Sequence, residues 1–427
     1  MRSSSGKRHN TFRQGQPLGS LGLTTILLYF QQTLSPIINM IPRGKLYISY
    51  RDLFAGVYYC LNPGSAQASR QNESSLVCLS VRTGFDLVLR ALNLPAGSEI
   101  LVTDINIPDM FRIITAHNLV AVPLPVNKHT LNISAVQMEE AITPNTKAIL
   151  ITHLFGGIME TDKIIAVAKK HNLMVFEDCA QAYAGAIYNG DPASDVVMFS
   201  FGFIKTNTAV SGAVIKINNE DLYAITNALN RQYIRQGTSR YLKKLIKVSY
   251  VKLLNNKAIY TLFYKFIIAL GKDFEQVLSG FTRGFPGDDI FKQIRYRPCR
   301  ANELMLQRKL ENFKQESIAQ RVQLANDVLT DLPQQYKIGS QNKRHTYWVM
   351  PVETDDPGAL IIYLREHGFD VSQKASSLVR LNSADVAPDP DDLQLDKLVY
   401  LPAYVAMSKS ERKKLSDLII DFAISKW

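Results

Sequence analysis

The chain has 427 residues, of which 46% are apolar, 20% charged and 9% aromatic. That balance excludes a disordered or fibrous chain and suits two or three packed domains of about 150 residues each. Lys and Arg outnumber Asp and Glu by 49 to 38, a net charge of +11, which favours anionic ligands such as phosphates, nucleotides or anionic lipid. Nothing in this balance singles out nucleic acid, and no nucleic-acid partner is expected. The cysteines Cys60, Cys78, Cys179 and Cys299 include no C-x-x-C pair. A zinc ribbon, an iron–sulfur cluster and a disulfide scaffold are therefore disfavoured. No metal site is expected, and the pattern fits a reducing compartment such as the cytoplasm.

In chain order, Met1–Gln16 is polar, basic and rich in Ser. Leu18–Ile41 is more apolar, but Gln31, Gln32, Ser35 and Pro36 interrupt it, and its longest clean run, Ile26–Phe30, falls far short of the roughly 20 residues of a membrane span. No signal-peptide pattern is evident, so residues 1–45 read as an N-terminal arm. From Leu76 to Ile217, apolar runs alternate with amphipathic segments. Leu76–Val81, Glu99–Thr103, Ala121–Val126, Ala148–Thr152, Leu173–Glu177, Asp195–Phe201 and Gly212–Ile217 read as strands. Gly84–Leu94, Asp109–His117 and Thr161–Lys170 read as helices, and Ile133–Ile142 is amphipathic. This alternation predicts an α/β fold with a mainly parallel, seven-stranded sheet, in which ligands gather at the carboxyl ends of strands.

Residues 221–274 read as a helical, Tyr-rich, basic insertion. Its stretch Arg240–Lys272 suits either weak contact with an anionic membrane surface or packing in a dimer or against a second domain with its lysines solvated. Arg300–Leu332 reads as one long amphipathic helix, His345–Val352 as a strand, and Pro357–His367 and Lys409–Ile424 as helices. The large domain is thus expected over residues 46–300 and a small C-terminal α/β domain over 301–427.

Three segments at expected strand ends carry chemistry. Phe176-Glu177-Asp178-Cys179-Ala180-Gln181 puts a carboxylate after an apolar strand. Phe199-Ser200-Phe201-Gly202-Phe203-Ile204-Lys205-Thr206 puts a lysine shortly after another. Arg82-Thr83-Gly84-Phe85-Asp86 reads as a glycine turn into a helix N-terminus, whose N–H groups suit a phosphate. Singly these are an ordinary cap, surface lysine and turn. Jointly they suggest pyridoxal phosphate, which needs a lysine amine for its aldehyde and an acid to keep its pyridine nitrogen protonated.

With these residues in place, the chain resembles the DegT/DnrJ/StrS aminotransferases, fold-type-I pyridoxal-phosphate enzymes acting on nucleotide-linked keto-sugars. The resemblance runs from about Leu46 to the C-terminus. It rests on Thr83–Leu92 with Pro95–Val102, Ile142–Ile149 (similar to I-T-P-K-T-K-A-I), His153–Gly157 (H-L-Y-G), Glu177–Ala182 (E-D-A-A-Q-A) and Ser200–Lys205 (S-F-H-x-x-K). It implies Lys205 as the cofactor-bonding lysine and Asp178 as the partner of the ring nitrogen. Ala180 is expected against a ring face and Gln181 near the ring's phenolic oxygen. Ser200 and the backbone of Gly84 and Phe85 are expected to hold the phosphate. Phe85 stands where the family usually has threonine or serine, and Ile107 takes the place of its ring-stacking aromatic residue. Tyr296 and Arg297 match its N-Y-R-M-S-E segment, which helps to form the site across a homodimer, with Arg295 in place of the asparagine. Lysine rather than histidine at 205 favours transamination over dehydration.

The reaction implied by the resemblance moves an amino group from an amino-acid donor, glutamate, to a nucleotide-linked keto-sugar, for amino-sugar or cell-surface glycan biosynthesis. Arg297, and also Lys216, are candidates for the donor carboxylate or a sugar diphosphate, and His153 for a supporting role near the ring. Two alternatives stay open: another pyridoxal-phosphate reaction, such as elimination, and a non-catalytic or regulatory protein of the same fold, which Phe85 and Ile107 favour.

Overall fold

The computed structural model describes residues 39–64, 74–282, 289–373, 377–382 and 389–425. The arm expected over residues 1–45 lies, up to residue 38, outside the described residues. Residues 40 and 41 are tied into the body, because Met40 N donates to Thr261 Oγ1 (2.9 Å) and Ile41 forms a parallel bridge with Phe369.

Helix α1 (Tyr50–Leu61) opens the described chain, followed by β1 (Ser75–Cys78), α2 (Val81–Leu92), β2 (Glu99–Thr103), β3 (Ile105–Asn106), α3 (Pro108–Ala116) and β4 (Val120–Leu124). Then come α4 (Ala135–Glu140), β5 (Thr146–Thr152), α5 (Asp162–Lys170), β6 (Met174–Asp178), β7 (Val196–Ser200) and β8 (Ala213–Ile217). The basic insertion supplies α6 (Glu220–Gln232), α7 (Thr238–Leu253), α8 (Lys257–Ala269) and α9 (Phe274–Thr282). A short α10 (Phe291–Ile294) leads to α11 (Arg300–Glu311) and α12 (Glu316–Leu329). The C-terminal part holds β9 (Met350–Glu353), α13 (Pro357–Glu366), β10 (Val379–Arg380), β11 (Leu398–Leu401) and α14 (Lys409–Ile424). Among the described residues, no helix is long and apolar enough to cross a membrane.

The central sheet has seven strands in the order β1-β8-β7-β6-β5-β2-β4. Neighbours from β7 to β4 are parallel, whereas β8 runs antiparallel to both β7 and β1. The mainly parallel, seven-stranded α/β sheet read from the sequence is the sheet observed. Its strands are buried on both faces, which is why they appear as near-continuous apolar runs. The carboxyl ends of β2, β5, β6 and β7 lie side by side and present Thr103, Thr152, Asp178 and Ser200 along one edge. A separate apolar cluster, including Leu329, Met350, Leu364, Phe369 and Ile419, fills the C-terminal part.

Some boundaries differ from expectation, each for a local reason. Helix α2 begins at Val81, not Gly84, because Ser80 is its N-cap and Ser80 Oγ accepts from Thr83 N. Gly84 therefore sits within the first turn, where its Cα faces β8. A Cβ there would lie 2.3 Å from Ile215 Cδ1. Gly84→Ala is expected to lower stability by about 1–3 kcal/mol through overpacking, read as a lower urea midpoint at unchanged slope. An unchanged midpoint would mean that the helix–sheet contact is looser than described.

The single helix expected over Arg300–Leu332 is broken between α11 and α12. Phe313 packs edge-on to Tyr183, and the Gln315 carboxamide donates to Ala184 O (2.6 Å) and accepts from Ala186 N (3.1 Å). Those long-range contacts bend the chain at an elbow that its amphipathic period does not reveal. The strand expected over His345–Val352 is confined to Met350–Glu353. Before it, Tyr347 has φ +47° and Thr346 N donates to Gly156 O (2.7 Å), so this segment follows the loop after β5 instead of a ladder.

Candidate active site

Three consecutive strands carry the centre of the site. Asp178 ends β6 with its side chain buried, and its Oδ1 accepts from Ala180 N (3.0 Å). Asn106, the last residue of β3, donates from Nδ2 to Thr152 Oγ1 at the end of β5 (2.8 Å) and to Asp178 Oδ2 (3.4 Å). Burial pushes the Asp178 carboxyl above its ordinary range, against the pull of the Ala180 N–H and the nearby Lys205 charge.

Glu177, the other half of the acidic pair, points away into a closed network. It accepts from Asp191 N (2.8 Å), from Tyr188 OH and from His153 Nε2 (2.9 Å). His153 Nδ1 in turn accepts from Met159 N (3.0 Å), which leaves the ring proton on Nε2 for Glu177. Burial works against the charged Glu177, yet its hydrogen bonds outweigh that and hold its carboxyl below the ordinary range. Cys179 Sγ lies within 4.8 Å of the His153 and Glu177 ligand atoms, but those atoms are already engaged with each other. Asp178, not Glu177, is the carboxylate that faces the cavity.

The cavity measures about 250 Å³, and Asp178, Ala180, Gln181, Ser200, Lys205 and Ile107 all line it. These expected site residues, drawn from separate strands and loops, are thus brought together. Lys205 is half-buried and lines the cavity, and its ammonium lies over the Trp348 ring (4.3 Å to the centroid). Burial drives the amine down and the Asp178 charge pulls it partly back, leaving it at about 8. Gln181 Oε1 accepts from Phe155 N (2.9 Å), which leaves Nε2 as the donor available to a ligand.

Gly84 and Phe85 are corrected. The Gly84 N–H is spent on Ser80 O (3.2 Å), and Phe85 is a core residue packed edge-on to Phe176. Neither lines the cavity. The turn that does so is Leu79, Ser80, Val81 and Arg82, one helical turn earlier. The absence of a hydroxyl at 85 therefore has no bearing on phosphate binding.

Tyr296 and Arg297 do not line the cavity of their own chain. Arg297 Nε donates to Tyr233 O (3.0 Å), and Arg240 stacks over the Tyr296 ring. Arg295 is held bidentately by Asp86 (3.0 and 2.9 Å). Burial opposes the Asp86 charge, but hydrogen bonds from His117, Arg295 and Tyr233 hold its carboxyl at about 2. Lys216 is also elsewhere, donating to Asn189 O (3.0 Å).

Several lining residues carry no sequence signal. Trp348 donates from Nε1 to Ile204 O (3.0 Å) and covers Lys205 from the C-terminal part. Its approach depends on Gly156, which has φ +97° and on which a Cβ would lie 2.5 Å from Trp348 N. Ser377 and Leu378 complete that side, and Lys244 and Lys247 of α7 form part of the wall.

Residues 68–258 match the model of the DegT/DnrJ/EryC1/StrS aminotransferase family. GDP-perosamine synthase of Caulobacter vibrioides is 36% identical over 166 residues, 37% of this chain and 43% of that protein. The dTDP-3-amino-3,6-dideoxy-alpha-D-galactopyranose transaminase of Aneurinibacillus thermoaerophilus is 36% identical over 177 residues, 40% of this chain and 47% of that protein. Each match thus spans less than half of the relative's length. Among solved structures, the sugar aminotransferase CalS13 from Micromonospora echinospora superposes with a TM-score of 0.63 at 19% identity, covering 90% of this chain and 100% of that one. At that identity the likeness establishes the fold. The stretch that matches this family model, residues 68–258, contains Asp178, Ser200 and Lys205.

Proposed function

We propose that this chain is an aminotransferase that uses pyridoxal 5′-phosphate to move an amino group from an amino-acid donor, glutamate, to the ketone of a nucleotide-linked sugar. Its product is an amino sugar for cell-surface glycans, made in the cytoplasm. The observation that carries the reading is the Lys205 amine, lowered to about 8, in one cavity with the buried Asp178 carboxylate.

The donor set suits the cofactor. An amine near neutrality can bond an aldehyde, a buried carboxylate can face a protonated ring nitrogen, and a helix N-terminus with Ser200 can meet a phosphate. When bound, pyridoxal phosphate supplies an electron-accepting ring that stabilises the charge left on a donor carbon as its proton departs. Lys205 Nζ anchors the cofactor and carries protons, for which an amine titrating near the working pH is well placed. Asp178 favours the charged form of the ring nitrogen. Ala180 and Ile107 are assigned to the ring faces and Gln181 Nε2 to the phenolic oxygen. Trp348 shields the Lys205 amine from water.

A homodimer belongs to the same reading, because Tyr296 and Arg297 can serve a cavity only across a two-fold interface. An apolar stripe on α1, with Tyr50, Phe54, Tyr58 and Leu61 exposed, is available for such burial. In the basic insertion, Tyr241, Leu245 and Tyr260 pack into the body, while Ile259, Leu262 and Phe266 face outward. Weak contact with anionic lipid through residues 240–272 would use that outer face.

The test loads the protein with pyridoxal phosphate and adds glutamate. Stoichiometric 2-oxoglutarate with loss of the visible band is expected, followed by a product mass matching the amino sugar when a panel of nucleotide keto-sugars is supplied. Elimination products without 2-oxoglutarate, or a protein that takes up no cofactor, would exclude the aminotransferase reading.

A further inference from the structure

The inserted helix α7 does more than pack. Tyr241 and Leu245 on its inner face are buried, and Tyr241 OH donates to Ala209 O (2.9 Å). This seating turns Lys244 and Lys247, one turn apart, toward the cavity wall. Lys244 Nζ donates to Ser211 Oγ (3.2 Å). Among the described residues, neither lysine forms an ion pair with a carboxylate. Lys244 is half-buried and lines the cavity with no carboxylate partner, an arrangement that an anion would relieve.

Ser211 joins this lysine to the start of α2. Ser211 Oγ and Gly212 N both donate to Leu79 O (3.4 and 3.0 Å), next to the N-cap Ser80. The backbone between β7 and β8 is forced to make that approach: Val210, a β-branched residue, has φ +71°, and its N–H is held by Thr208 Oγ1 (2.9 Å). In α2, Thr83 N is bound by Ser80 Oγ and Gly84 N by Ser80 O. The Val81 N–H lies at the positive end of the helix, where a ligand can meet it. The other cations nearby are committed: Arg82 Nε is bound to Asp109 (2.6 Å), and Arg295 to Asp86.

We propose that Lys244 and Lys247, together with Ser211 and the first turn of α2, form the phosphate-recognising wall of this cavity, so that the cation for the phosphate comes from the same chain through its inserted helix. The inference rests on the aminotransferase reading only for the identity of the ligand. The chemistry recognised is a phosphate ester, whether the 5′-phosphate of pyridoxal phosphate or the diphosphate of a nucleotide-linked substrate.

The experiment uses the full chain freed of cofactor, as wild type, Lys244→Met, Lys244→Arg and Lys247→Met. Pyridoxal phosphate and pyridoxal are titrated by absorbance, inorganic phosphate by calorimetry, and UDP, GDP and dTDP by calorimetry on the cofactor-loaded protein. Lys244→Met should weaken pyridoxal phosphate by about tenfold or more, the scale of a charge-assisted hydrogen bond. Pyridoxal should stay within about twofold, and Lys244→Arg should retain most of the affinity. If the variants instead weaken only the nucleoside diphosphates, the wall is assigned to the substrate. Equal losses for pyridoxal and pyridoxal phosphate, or no loss for any phosphate compound, would overturn the proposal. Should wild type bind neither aldehyde, the enzymatic reading fails by itself, and the difference in inorganic phosphate binding between wild type and Lys244→Met still decides the wall.

Discussion

Lys205→Ala is expected to remove the visible absorption of cofactor-loaded protein and to lower turnover by at least about a thousandfold. The size follows from the loss of two roles at once, the covalent anchor and the proton carrier. No neighbour can stand in, because Trp348 covers one side of the amine and Asp178 is the wrong acid–base type. Spectra of wild type and variant, with single-turnover rates on glutamate, provide the check; a variant retaining its band would place the covalent bond elsewhere.

The same side chain leaves a mark on stability in the cofactor-free protein. Its amine titrates at about 8 in the fold and at its ordinary 10.5 when unfolded. Between these values the unfolded chain binds more protons, so stability rises with pH through that window, by at most roughly 3 kcal/mol. Below pH 8 the penalty is present in full. Urea unfolding of wild type should show this rise, and Lys205→Met should lack it.

The second large effect is expected at Asp178. Asp178→Asn keeps the size of the side chain and an oxygen for Ala180 N, but discards the charge and sets two amides against each other at Asn106. Turnover is expected to fall by about a hundredfold or more, the scale of removing one preorganised electrostatic contact. The visible band should persist, since Lys205 is intact. Thermal stability of the cofactor-free protein should hardly change, because a buried carboxylate without a paired cation contributes little to it. A variant that loses band and fold together would give Asp178 a structural role instead.

The strands were legible because sheets covered on both faces write themselves as apolar runs, and Asp178, Ser200 and Lys205 were legible because they follow such runs. The start of α2 was misread because Gly84 resembles a turn signal, whereas its glycine is demanded by contact with Ile215. The elbow between α11 and α12 is set by partners more than a hundred residues away, such as Ala184 for Gln315. Trp348 and Lys244 reach the cavity through tertiary placement alone. Tyr296 and Arg297 are expected, from a local motif, to serve the site across a homodimer, and Tyr233 O holds Arg297 outside its own chain's cavity. Local pattern therefore reveals what strands carry to their own ends, and not what distant helices fold over them.

The seating of α7 has a consequence for engineering. The helix is in contact with α1 and α11 while its lysines line the cavity. Trimming residues 238–282 to shorten the chain would expose the apolar sides of two neighbours and strip one wall from the pocket in a single cut. A graft would have to travel the other way: another protein could receive this helix only together with an α1 and α11 shaped to seat it.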